Sequence, residues 1–232
     1  MSMHDPVLAT VFWSLVTIAC YYGARMVHRR WSSPWLSPLL VVPVAVGVVA
    51  VSLHAGYAEY SRSTHWLVLM MGPATVAFAV PIYEKREVIC RYWPALLLGV
   101  LVGSSISMVA AFQLASWMGL SEAMQMSLMP RSTSTPFAMS IAGNIGGRPE
   151  LAAAFVCITG IIGAVLGEMM LKVMPLRTSM ARGALFGMGA HGAGVAKAHQ
   201  IGGEEGSIAG LVMVMAGLFN VLMAPLIAQV VL

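Results

Sequence analysis

The sequence predicts an all-α polytopic membrane protein built with discontinuous helices. Hydrophobic residues make up 59% of its 232 residues, and Asp, Glu, Lys and Arg only 9%, where a soluble domain carries about 25% charge. Long apolar runs recur at lengths suited to a bilayer core, which takes about 20 helical residues per crossing. Between them lie two stretches, Pro130–Gly147 and Phe186–Gly203, too rich in glycine and polar side chains for ordinary spans. Peptide groups left unbonded in lipid cost several kcal/mol each, so such breaks survive only inside protein or along a wet cavity. The expectation is about seven transmembrane helices plus one re-entrant broken segment, in the inverted-repeat pattern of transporter-like folds.

Val7–Val27 is the first span, closed by Arg25, His28, Arg29 and Arg30, with Trp31 and Trp35 as interfacial anchors. Pro38–Leu53 is a shorter second span, followed by a polar loop, His54–His65. Trp66–Tyr83 is a third, interrupted at Gly72-Pro73 and stopped by Pro81. Glu84–Glu87 and Arg91 then make a charged loop before Pro94–Leu120, whose Gly99 and Gly103 at GxxxG spacing suit helix packing better than a dimer face. Leu151–Leu171 carries Gly160, Gly163 and Gly167 along one side, with Lys172, Arg177 and Arg182 after it. Glu168 and Lys172 are spaced for a local i, i+4 ion pair. Ser207–Leu232 closes the chain, with a kink expected at Pro225.

The basic clusters at 25–30, 85–91 and 172–182 belong on the cytoplasmic side by the positive-inside rule, which puts the N-terminus outside. Leu120–Pro149 must then begin and end on the outer side, and it is too short to cross twice, so Pro130–Gly147 dips in and returns. Residues 38–120 and 151–232 each read as span, broken span, span, in opposite orientations. That layout marks two repeats within a single membrane domain covering 1–232. Lys197 and His199 fall either at the outer mouth or at a helix end, and Glu204 and Glu205 in a solvated loop.

Several function classes drop out. The basic residues cluster at helix ends rather than on one face, so no nucleic-acid partner is expected. Cys20, Cys90 and Cys157 lie far apart and suit packing, not a metal or disulfide framework. The 19 methionines lack copper-type spacing. No nucleophile–base set, HExxH or P-loop is present, so neither an enzyme nor a cofactor is expected. Met1–Pro6 shows neither a signal peptide's basic region nor a transit-peptide composition, which leaves a bacterial plasma (inner) membrane as the expected location.

Chemistry concentrates in the two breaks. Pro130-Arg131-Ser132-Thr133-Ser134-Thr135-Pro136 is the densest polar cluster within the apolar chain. Thr135 before Pro136 has the form of a helix start, a hydroxyl N-cap followed by proline at the first position. Gly143-Asn144-Ile145-Gly146-Gly147 ends that short helix. Its N-terminus suits an anion, and Arg131 adds a donor fork matched to a carboxylate. The plainer reading is a surface loop whose hydroxyls only cap a helix. In the second break, glycines alternate through Gly187-Met188-Gly189-Ala190-His191-Gly192-Ala193-Gly194, each costing an uninterrupted helix about 1 kcal/mol. His191 is either a hydrogen-bonded packing residue or a ligand and proton-coupling group. The candidate substrate-binding residues are therefore Arg131, Ser132, Thr133, Ser134, Thr135, Asn144, His191, Gly192 and Gly194.

The sequence resembles the CidB/LrgB membrane protein family. The resemblance rests on Gly72–Pro81, Pro130–Met139, Thr159–Ala164 and Ala190–Gly194, in that order and over nearly the whole chain. Two positions depart from the family pattern: Arg131 stands where Lys is common, and Val195 where Thr is common. The resemblance implies two competing functions. Members were first described as holin-like or antiholin-like proteins that modulate murein hydrolases and autolysis. A plastid relative, the glycolate/glycerate translocator, exports glycolate and imports glycerate, and bacterial members are linked to pyruvate and similar carboxylates. It also implies a small LrgA/CidA-type membrane protein as partner, absent from this chain, and distant kinship to symporters with crossed broken helices. The partners expected are thus the lipid bilayer, a small carboxylate and that membrane protein; self-association into a homo-oligomer is left open.

Overall fold

The computed structural model describes residues 5–31, 33, 36–77 and 79–231. The expected anchor Trp35, the residues before Asp5 and the terminal Leu232 lie outside them. The described residues form twelve helices and no strand. They divide into two compact units, Met1–Ala74 and Thr75–Leu232, so the division falls inside the expected first repeat.

The first unit opens with α1 (Pro6–Arg30). Asp5 caps it by accepting the Val7 N–H at 2.9 Å, Pro6 starts it, and His28, Arg29 and Arg30 end it against the dipole. Next, α2 (Pro38–Ser52) bends by 118° into α3 (Tyr57–Ser63). The expected polar loop thus contains a helix, and α1 explains why. Trp13 is 1% exposed and packs edge-on against Tyr60 at 5.4 Å. The Tyr60 hydroxyl meets that of Thr17 at 3.2 Å. Trp66, in α4 (His65–Leu69), donates its indole N–H to Ser14 at 2.8 Å.

The region expected as a third span is instead three short helices, α4, α5 (Met71–Ala77) and α6 (Ala79–Glu84). Pro81 lies in the first turn of α6, where a missing N–H costs nothing, and does not stop it. None of the three is long enough to cross. Among the described residues four helices are long and apolar enough to span, α1, α7, α10 and α12, or five if α2 and α3 form one bent span. That falls short of the seven expected.

The second unit is organised by three spans. They are α7 (Arg86–Trp117), α10 (Pro149–Val173) and α12 (Gly203–Val231). Leu96 packs with Ile208, Leu211 and Val212, while Met108 packs with Ala224, so α7 and α12 run parallel. Tyr92 breaks the helical torsions of α7 two residues before Pro94. Gly103 faces Met188 while Gly99 has open space, so only one glycine of that pair serves packing.

Between α7 and α10 the chain forms α8 (Glu122–Leu128), a turn, and α9 (Thr135–Asn144). A Gly146 in the left-handed region and the Gly147 N–H bonding the Ala142 carbonyl at 2.7 Å end α9. The end of the hairpin is tied to its entry. A Cβ on Gly147 would lie 2.8 Å from the Ser127 nitrogen, and the Arg148 N–H donates to Ser127 Oγ at 2.7 Å. The segment thus turns back on itself between α7 and α10.

The second break departs from expectation. Helix α11 (Ser179–Ile201) is not a span with a kink; it folds back on itself at His191. Ser179 donates to Glu204 at 2.8 Å and Arg182 pairs with Glu205 at 2.7 Å, so its start sits beside the start of α12. Its end leads directly into α12 through Gly202. Phe186 of the first arm and Ala198 of the second share one apolar cluster with Ala209. The arms touch where a Cβ on Gly194 would collide with the Phe186 carbonyl. Two more expectations change as a result. Glu205 is 7% exposed and ion-paired rather than solvated. Glu168 bonds Lys197 at 3.0 Å, reaching across to α11 rather than along its own helix to Lys172. Lys197 and His199 sit at the α11–α12 end, not at the opposite mouth.

This topology gives a direct labelling result. In a cysteine-free background, single cysteines at Arg177 and Gly203 should both react with a membrane-impermeant thiol reagent from the same face. Reaction from opposite faces would mean that α11 crosses.

Candidate functional site

Helix α10 sets the depth of everything polar. On its first half, Ala152 and Val156 pack against Ala142 and Ala138 of α9, so α9 runs antiparallel to it and its N-terminus approaches the middle of α10. On its second half the glycine stripe receives the first arm of α11. A Cβ on Gly167 would lie 2.7 Å from the Phe186 ring, one on Gly163 would strike the Gly189 carbonyl, and one on Gly160 would lie 2.8 Å from His191 Cε1. At Gly163 backbone meets backbone, while Gly167 and Gly160 leave room for the Phe186 and His191 rings. The other side of the arm is fitted as closely to α12, with Gly187 against the Ala209 main chain.

Each arm of the α11 hairpin is about 15–18 Å long, half of a bilayer core of about 30 Å. The two hairpins enter from opposite ends of α10 and end at its midpoint. There the His191 imidazole meets the main-chain carbonyl of Arg131. The two breaks that the sequence singles out are therefore joined.

The tip of the α8–α9 hairpin is a tight turn, with the Thr133 N–H and Oγ1 both donating to the Pro130 carbonyl at 3.1 and 2.8 Å. Ser132 meets Ser107 of α7 at 2.6 Å. The helix cap is Ser134, one residue earlier than expected, with Thr135 first in the helix and Pro136 second. Ser134 is 6% exposed, and its Oγ has no hydrogen-bond partner among the described residues. Arg131 is half-buried in the turn, and no carboxylate among the described residues pairs with it.

The tip of α11 is His191 itself, with φ 37° and ψ −123°. This region is open to glycine and costs other residues about 1–3 kcal/mol. His191 is 4% exposed and its Nε2 has no partner among the described residues. Gly192 is exposed, with open space where a Cβ would stand, and Gly194 is buried between the arms.

Arg131, Ser132, Thr133, Ser134, Thr135 and His191 thus gather around the meeting tips, with Gly192 opening the returning arm. Asn144 does not join them. It is exposed at the far end of α9, about 13 Å along the helix from Thr135. The sequence reading missed Ser107, which holds the turn, and the buried Ser104 and Asn220, each with an oxygen lacking a partner among the described residues. The available signal was a hydroxyl or amide inside an otherwise apolar span.

Chemically the tips combine two helix starts, at Thr135 and Gly192, a guanidinium without a carboxylate, and two buried polar atoms without partners. Helix starts carry N–H groups with no intrahelical acceptor and the positive end of the dipole. The helix starts and the guanidinium supply donors and a positive field, and the Ser134 hydroxyl can either donate or accept.

A polytopic helical membrane protein with two hairpins whose tips meet beside the middle of α10 is the class that fold and site define. The model of the LrgB-like family matches residues 17–230, and the chain belongs to that family. It is 36% identical over 210 residues to the uncharacterized protein YwbG of Bacillus subtilis, covering 90% of this chain and 93% of the relative. The holin-like protein CidB of Staphylococcus epidermidis is 26% identical over 220 residues, covering 95% and 96%. The antiholin-like protein LrgB of Bacillus subtilis is 25% identical over 228 residues, covering 98% and 99%. No solved structure matches the chain.

The strained tip carries its own test. His191→Gly should fold with a melting temperature equal to or above that of the parent, because glycine relieves the backbone. His191→Ala should lose stability by about 1–3 kcal/mol relative to His191→Gly. Equal stability of the two variants would show that the torsion is unstrained.

Proposed function

We propose that this chain is a secondary transporter of small monocarboxylates such as glycolate, glycerate or pyruvate. The observation that carries this reading is Arg131, a half-buried cation in the turn before α9 that pairs with no carboxylate among the described residues. A lone cation in that position is costly, and a small anion moving through the site is the partner that relieves it. Ser134, the N–H groups opening α9 and the returning arm of α11, and the His191 imidazole would complete the hydrogen-bonding shell. His191 also offers a proton-coupling group beside the bound anion.

The layout supports a carrier as well. In this reading α7 with the α8–α9 hairpin and α10 with the α11 hairpin form the inverted pair, a shorter unit than residues 38–120 and 151–232. The starts of α7, α11 and α12 and the end of α10 share one face, which collects Lys85, Arg86, Arg91, Lys172, Arg177 and Arg182. We assign that face to the cytoplasm of a bacterial inner membrane. The positive-inside rule applied to Arg25, Arg29 and Arg30 by themselves puts the N-terminus outside. An LrgA/CidA-type membrane protein is the expected partner.

The second reading is a holin-like or antiholin-like protein that modulates murein hydrolases and autolysis. The names of two relatives, holin-like and antiholin-like, favour it more directly than they favour transport. The two readings part on leakage, since a pore passes unrelated solutes and a carrier does not.

Uptake of labelled glycolate and pyruvate into proteoliposomes under a proton gradient, with and without the partner, tests the proposal. Arg131→Ala should lower uptake at least tenfold, in line with a charge-assisted hydrogen bond of about 1.5–3 kcal/mol. Arg131→Lys should keep part of it, matching the residue common in the family. Absence of uptake for every short carboxylate, together with release of an entrapped dye, would overturn the carrier in favour of the pore.

A further inference from the structure

The two nitrogens of the imidazole at the α11 tip have different surroundings. Its contact with the Arg131 main chain is to the carbonyl, which only accepts, so the nitrogen making that contact carries a hydrogen. Nε2 has no partner among the described residues, which assigns the carbonyl contact to Nδ1. The ring is seated on this edge, since a Cβ on Gly160 would lie 2.8 Å from Cε1 and 3.4 Å from Nδ1. In a neutral imidazole one nitrogen donates and the other accepts. With Nδ1 donating, Nε2 presents a lone pair, in a side chain that is 4% exposed and supplies it with no donor. A buried acceptor left in that state destabilises the fold unless something donates to it. The donors at the tips are otherwise suited to a carboxylate. The Arg131 fork and the unpaired N–H groups at the starts of α9 and of the returning arm converge there. Gly192, next to the ring, has open space where a Cβ would stand.

We infer that His191 Nε2 reads the carbon next to the solute's carboxylate, accepting a hydrogen bond from a 2-hydroxyl group, so that the site prefers 2-hydroxy acids to 2-oxo acids and to unsubstituted ones. The three classes differ at that one group. A hydroxyl donates to the lone pair and removes the orphan. A C–H leaves the lone pair unpaired. A keto oxygen sets one lone pair against another, which is worse than no contact. With the carboxylate held by the guanidinium and the helix starts, the substituent on the next carbon is the group presented to the neighbouring ring. Sites built to bond a solute hydroxyl reject the analogue lacking it more strongly than an apolar pocket rejects a missing methylene, because a protein group is then left unpaired. His191 is thus a specificity-determining residue that touches the solute, with Nδ1 anchored to one hairpin tip so that Nε2 is free for the cargo.

The inference rests on the carboxylate-carrier reading and narrows its solutes. The full chain, purified in detergent at neutral pH, is titrated with glycolate, acetate, lactate and pyruvate, and each dissociation constant is read from the rise in melting temperature. Glycolate should bind about tenfold more tightly than acetate, and lactate than pyruvate by at least as much. This comparison needs no variant, so it stands whether or not a substituted chain folds. In His191→Gly, glycolate should fall to the level of acetate and lactate to that of pyruvate, while the binding that remains still depends on Arg131. Equal binding within each pair in the parent chain would overturn the inference and leave the carrier reading in place, as expected if the ring were charged and donated to every carboxylate alike. Discrimination that survives undiminished in His191→Gly would overturn it too, by placing the hydroxyl reader elsewhere. No response to any of these acids would remove the anion site and the inference together.

Discussion

The meeting of two hairpin tips at the midpoint of α10 is the constraint on which the rest of the structure depends. Each tip leaves main-chain groups without helical partners, and hydrocarbon offers none. Those groups are tolerable at mid-depth only because the tips shelter one another, through the His191 imidazole and the Arg131 carbonyl. The glycines follow from the same constraint. Gly163 lets one hairpin meet α10 at backbone distance, Gly160 and Gly167 make room for its His191 and Phe186 rings, and Ala138, Ala142 and Ala152 pack in the contact of the other. Small residues are the usual means of close helix approach where no hydrophobic force drives association.

From that geometry the electrostatics follow without further assumption. A hairpin that enters and returns has its second arm starting at mid-depth, so two opposed hairpins bring two positive helix ends together. Arg131 adds a full charge to that field. In the second unit Glu168, Glu204 and Glu205 are paired, and all three serve the far ends of the hairpins, where α11 begins and ends. Among the described residues negative charge is thus paired at those ends and not at the tips.

The sequence made some of this legible and hid the rest for physical reasons. That Pro130–Gly147 turns back between two spans could be read because it is too short to cross twice. The glycine run around His191 could be read as a break, since no helix spans such a run cheaply. Its direction could not be read. Whether a broken helix continues or returns depends on the torsion of one residue, and only the contacts of Ser179 and Arg182 with the start of α12 disclose it. Partner choice among charges was equally opaque, because Glu168 has Lys172 one turn away along its helix and Lys197 across space. The first unit misled in another way. Tyr60 was expected in a loop and Trp66 at the start of a third span, but Trp13 and Ser14 of α1 draw them into a helical cluster that hydropathy does not register.

The central claim is that the tips are neighbours at mid-depth, and proximity between them is the most direct measurement. Ser132→Cys and Gly192→Cys, combined in a cysteine-free chain and treated in membranes with a short bifunctional thiosulfonate, should yield an intramolecular cross-link in high proportion. Both cysteines reacting singly without forming that link would place the tips apart and contradict the account.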